Sequence, residues 1–282
     1  MFPSVGGPIY HKSMAFPQTR HTLIQRLATS ADDRDWQEFL ADYWGPVCRF
    51  ALRRGSSPLV EAEDVAAQTF EILLRNNLLA RWAASKQAKL RTLLCSVVCK
   101  VQANARRARQ TGERVLDELK HAQFDLSDVP NEQEVAFLAA WVEDLLEKCL
   151  HELAAEYHRE AKGDYFRVLY GRLCDQMSIA EVAAALEISP SAVDNYYRHV
   201  RQRLTERLES AVRSHVYRYA PPNEAESEFA AEWGRLGQHL KEHGGLEDAI
   251  RRAHSLVDQK QLDRARPQRI RDTLTRIRVV EG

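Results

Sequence analysis

The chain of 282 residues carries 40 Lys and Arg against 40 Asp and Glu, a formal net charge of zero. No global polycation is available to grip nucleic acid or anionic lipid, so any such binding must be local. Hydrophobic residues make up 44% and charged residues 28%, with 12 glycines and 10 prolines, which excludes wholesale disorder and collagen-like or low-complexity chains. The apolar runs, such as Val135 to Val142 and Leu93 to Cys99, are well under the roughly 20 residues a membrane span needs, so no membrane partner is expected. Cys48, Cys95, Cys99, Cys149 and Cys174 include no CxxC pair, and residues 1–20 hold no signal-like apolar stretch. The expectation is a cytoplasmic protein with free thiols.

Residues 1–22, with Pro3, Gly6, Gly7, Pro8 and Pro17, read as a flexible tail. From Trp36 the apolar positions Trp36, Phe39, Leu40, Tyr43, Trp44, Val47, Phe50 and Ala51 keep helical spacing, behind Asp32, Asp33 and Asp35 at the helix start. Gly55-Ser56-Ser57-Pro58 breaks the chain; Val65, Thr69, Ile72 and Leu73 mark a second helix, and a third runs from about Lys89 to Arg109. No alternating stretch reads as a strand. The class is all-α: a helical domain over 23–110, a polar linker over 111–134, a second helical domain over 135–219 and a helical extension over 220–282. Ala220-Pro221-Pro222-Asn223 sets the last boundary, because proline lacks the donor a helix interior needs. In the extension, Phe229, Trp233, Leu236 and Leu240, then Ala249, Ile250, Ala253, Leu256 and Val257, predict two amphipathic helices split by Gly244-Gly245.

The sharpest local signal lies in residues 178–204. Ser178 and Glu181 have capping-box spacing, and Ile179, Val182, Ala183 and Leu186 form an inner stripe. Ser189-Pro190 then supplies an N-cap followed by proline at the first helical position. In the second helix Val193, Tyr197, Val200 and Leu204 point inward, leaving Ser191, Asn195, Arg198, His199, Arg201 and Gln202 on other faces. Two short helices with amides and arginines on the second form the helix-turn-helix geometry that enters a major groove, where arginine pairs with guanine and asparagine with adenine.

Charge is uneven along the chain. Residues 196–218 hold six arginines and two acids, whereas residues 131–160 hold eight acids and two bases. A second basic stripe, Lys100, Arg106, Arg107 and Arg109, closes the third helix and suits phosphate contact. An ordinary solvated helical hairpin, and cations placed favourably at a helix C-terminus, are the alternatives.

These residues resemble bacterial RNA polymerase sigma factors of the extracytoplasmic function (ECF) type. Asp35 to Gly55 resembles the opening helix of the family's first domain, and Ala62 to Leu74 its polymerase-docking helix, with Ala62, Glu63, Asp64 and Phe70 at matching positions. Leu90 to Arg109 is similar to the minus-ten helix, and Tyr165 to Leu208 to the domain that reads the minus-thirty-five element. The resemblance covers about residues 23–215. It implies a non-enzymatic subunit without cofactor that docks on core RNA polymerase through Glu63, Asp64, Gln68, Phe70 and Glu71. It also implies binding to double-stranded promoter DNA and its melted single strand, and control by an anti-sigma factor. The chain departs from the family pattern at Ala67, Gln68, Leu90, Leu93, Lys100, Glu187, which stands for a turn glycine, and Asp194. A regulator that binds an operator without polymerase is the alternative. No triad, phosphate loop or dinucleotide fingerprint is present, and Cys95, Cys99, Cys149 and His151 match no zinc spacing. Arg264 to Arg278, with six arginines and one acid, adds a basic end to an extension expected to seat on one of the main domains or on polymerase.

Overall fold

The computed structural model describes residues 23–29, 33–55, 59–85, 90–111 and 131–255. Eleven helices and no strand occur among them: α1 (Leu23–Thr29), α2 (Asp33–Arg53), α3 (Leu59–Arg75), α4 (Leu78–Ser85), α5 (Leu90–Thr111), α6 (Asn131–Arg159), α7 (Gly163–Leu173), α8 (Ile179–Leu186), α9 (Pro190–Tyr219), α10 (Ala225–Glu242) and α11 (Gly245–Ser255). The chain is all-α. The expected N-terminal tail, most of the linker, and the basic stretch Arg264 to Arg278 lie outside the described residues.

α1 to α5 enclose the first core, and of these the periodicity predicts α2, α3 and α5. Phe39, Phe50, Phe70 and Leu94 are fully buried in it. Phe70 stacks on Trp44 with ring centroids 5.7 Å apart and meets Phe39 edge-on at 5.9 Å. Burying each such side chain contributes about 1.5–3 kcal/mol. α4 is not among the expected helices; its Leu78 and Leu79 are buried in the same core.

α6 serves two cores. Its first turns insert Phe137 and Ala140 into the first cluster, with Phe137 set 5.3 Å from Phe50. Further along, Leu146, Leu153 and Tyr157 belong to the second, shared with Leu169 and Leu173 of α7 and with Val200, Leu204 and Leu208 of α9. The helix starts at Asn131, four residues before the expected resumption of helix at Val135. Arg49 of α2, only 6% exposed, reaches Glu147 and lies 3.7 Å from Asp144, while Lys148 meets Asp144 at 2.7 Å. A buried cation of this kind is tolerable only because carboxylates face it.

α9 ties the two halves together. Thirty residues span about 45 Å at 1.5 Å per residue. Its N-terminal half sits in the helix-turn-helix, while Arg218 and Tyr219 at its far end bond to Asp42 of α2 at 3.2 and 2.7 Å. The extension is seated on the second domain, one of the outcomes expected for it. α10 packs Phe229 against Val212 and Val216, and α11 places Ala249, Ile250 and Ala253 in the second core.

Candidate nucleic-acid interface

The helix-turn-helix forms as its capping residues predict. Ser178 Oγ accepts from the Glu181 N–H at 3.2 Å, and Glu181 accepts from the Ser178 N–H at 2.7 Å. Those bonds favour the charged carboxylate and lower the Glu181 pKa. Ser189 Oγ accepts from the Ala192 N–H at 3.2 Å and Pro190 opens α9. Between the helices Glu187 has φ 55° and ψ 39°, the left-handed conformation that the family's glycine would adopt without strain. Val168, Val182, Ala183 and Val193 form the small core that fixes the angle between α8 and α9. Gly171 lets α7 approach α8, since a Cβ there would lie 3.2 Å from Val182.

That core turns Ser191, Asn195, Arg198 and Gln202 outward along one exposed stripe of α9. Arg198 Nη2 donates to Asn195 Oδ1 at 2.9 Å, and Gln202 Nε2 donates to Glu206 at 3.0 Å. The Arg198–Asn195 pair offers a guanidinium fork beside an amide, the two groups best suited to guanine and adenine edges. His199 and Arg201 lie on the two flanks rather than on the stripe. His199 meets the Tyr165 ring edge-on at 5.1 Å, beside a close stack of Tyr165 on Tyr196 at 3.9 Å. Arg201 lies 3.7 Å from Glu247 of α11 and 5.7 Å from the Tyr197 ring. Tyr197 donates to the same carboxylate at 2.7 Å, and burial with that contact pushes its hydroxyl up to about 12. The extension therefore touches the first half of α9, a contact that hydrophobic spacing does not encode.

The charge asymmetry has a different physical origin from the one inferred in sequence. Arg203 pairs with Glu156 at 3.1 Å and Glu206 at 2.9 Å, and Arg207 pairs with Glu152 at 3.1 Å and with Glu156. Arg213 meets Glu226 at 3.0 Å and Arg218 meets Asp42 at 3.0 Å. Arg203 and Arg207 of α9 are thus answered by α6, while Arg213 and Arg218 are answered by α10 and α2. The complementary charge counts of residues 131–160 and 196–218 were the signal that could have revealed this packing.

The basic stripe expected on α5 is only partly assembled as a surface. Arg106 and Arg107 are exposed and Lys100 is half-buried on α5; the Arg109 side chain lies outside the described residues. Arg106 Nη2 donates to the Arg54 carbonyl at 2.5 Å, so it caps the end of α2, as the helix-terminus alternative allows. In the expected docking set, Phe70 is fully buried and Glu63 is 5% exposed, so both are core residues rather than surface contacts. Of that set, Asp64 is exposed, Gln68 and Glu71 are half-buried, and Glu71 pairs with Arg75 at 2.7 Å. Ala62 and Ala67 are buried, where small side chains let α3 approach its neighbours.

Among the described residues no group of three or more His, Cys, Asp or Glu is placed to hold a metal ion, and no helix is long and apolar enough to cross a membrane. Cys95 and Cys149 are core residues of α5 and α6. No protein-family model matches the chain, and neither curated proteins nor solved structures give a significant match.

Proposed function

We propose that the chain is a cytoplasmic ECF-type sigma factor: a non-catalytic subunit that joins core RNA polymerase and directs it to promoters. The helix-turn-helix reads an upstream element through Ser191, Asn195, Arg198 and Gln202, while Arg106 and Arg107 on α5 hold backbone phosphates near the start site. The observation that carries the reading is the exposed Arg198–Asn195 pair on the second helix of a helix-turn-helix in which each helix start is fixed by its own cap. Asparagine and arginine edges specify bases, and the phosphate contacts position the protein without reading sequence. Strand opening costs a few kcal/mol, which capture of an unstacked base offsets.

The decisive experiment is transcription of a genomic-fragment library by core polymerase with and without the chain. New, chain-dependent start sites that share an upstream motif support the proposal; an unchanged transcript set refutes it. A second reading, an operator-binding regulator that acts without polymerase, is favoured by the burial of Phe70 and Glu63, which narrows the docking surface. It requires tight duplex binding without core enzyme and protection of two half-sites about one helical turn apart.

A further inference from the structure

A cavity of about 570 Å³ opens where α1, α2, α4, α6, α9 and α10 converge, remote from the stripe on α9. Its volume is that of a small-molecule site. Six aromatic rings among the described residues line it: Tyr43 of α2, Trp82 of α4, Phe137 and Trp141 of α6, and His215 and Tyr219 of α9. The polar groups come mostly from one side. Glu224, Glu228 and Glu232, four residues apart at the start of and along α10, face the same space. Among the described residues Arg91, of α5, is the one cation on the wall, and Glu232 already pairs with both Arg91 and Arg235. Glu224 and Glu228 are exposed, and no cation among the described residues meets either of their carboxylates. The wall thus combines aromatic faces with two uncompensated negative charges.

We propose that this cavity binds a small organic cation with a flat apolar body, an arylalkylammonium or a molecule of the same chemistry. The rings take the apolar body and attract the cation through their faces, while Glu224 and Glu228 select its charge. An anion of the same shape would meet the carboxylates and the negative ring faces and be repelled. Because the lining residues come from both halves of the molecule and from the extension, an occupant would clamp α10 and the end of α9 onto α2. It would therefore stabilise this arrangement by mass action. The proposal does not rest on the promoter reading, and its test involves no DNA.

The probes are tryptamine, indole-3-propionate and methylamine, titrated calorimetrically into the full chain, with thermal unfolding followed alongside. Tryptamine is expected to bind saturably, raise the unfolding temperature, and bind about tenfold or more tighter than either the anion with the same ring or the ringless cation. The double variant Glu224→Gln/Glu228→Gln should weaken tryptamine by about fivefold, as two partly screened charges allow. Both positions are exposed, so the substitutions leave the core untouched. Leu138→Trp, at another lining position, should fill the space and abolish binding. No saturable tryptamine binding, equal binding of indole-3-propionate, or unchanged affinity in both folded variants overturns the proposal.

Discussion

Acid should loosen the junction between α9 and α2 through His215. This side chain is wedged against Tyr43 of α2, whose hydroxyl lies 3.2 Å from Nε2, and against the Tyr219 ring at 4.7 Å. Burial, reinforced by Arg218, Lys148 and Arg91, outweighs the attraction of Glu232 and drives the imidazole pKa down to about 3. The unfolded chain has its histidine near 6.5, so between about pH 6.5 and 3 the unfolded state binds the extra proton. Stability therefore falls as pH falls through that window, by up to about 1.4 kcal/mol per unit, or about 2 kcal/mol at pH 5. The imidazole keeps 18% exposure and Asp42 Oδ2 lies 4.0 Å from its Nδ1, which together place the expected loss nearer 1 to 2 kcal/mol. Urea denaturation of the wild type and of His215→Gln from pH 8 to 4.5 checks this. The stability difference between the two should be constant above pH 7 and shift against the wild type by that amount at pH 5, with equal urea slopes. A difference independent of pH would refute the account of a neutral, buried imidazole.

His239, 7% exposed and held down to about 4 by burial and by His243, should add an acid-sensitive component of the same sign in α10, removed in His239→Gln. Glu187→Gly, which relieves the left-handed strain between α8 and α9, should raise stability by about 1 kcal/mol in urea, and a loss would show that the side chain is needed there. Arg198→Ala should weaken duplex binding by about 1–3 kcal/mol if the guanidinium reads a base, whereas a uniform loss across sequences with a salt slope reduced by about one would make it a phosphate contact. Glu247→Ala should free Arg201 for phosphate and tighten duplex binding in gel-shift titrations, steepening its salt dependence; weaker binding would mean that α11 positions the recognition helix instead. Phe70→Ala should cost about 3–5 kcal/mol of stability by opening a cavity between Trp44 and Phe39, and an unchanged stability would return Phe70 to the surface.

Local rules made the helix-turn-helix legible. Caps and turn residues act within a few positions, so Ser178, Glu181, Ser189 and Pro190 specify their helix starts whatever the rest of the chain does. Hydrophobic spacing likewise marked α2, α3, α5 and the inner stripe of α9, and helical periodicity without any alternating stretch pointed to the all-α class. Tertiary packing decided what spacing leaves open. α2 runs unbroken through Pro46 because Tyr43, Trp44, Val47 and Phe50 around it are buried, and the packing gain outweighs the lost backbone bond. Phe70, legible as a helix-face aromatic, could be a docking residue or a core residue, and only the Trp44 ring against it settles that as core. The arginines of α9 carry charge in any context, but whether a guanidinium meets phosphate or Glu156 depends on a helix some fifty residues earlier in the chain. Short-range hydrogen bonds and periodic burial are written in consecutive residues; the pairing of charges across a core follows from which helices the fold brings together.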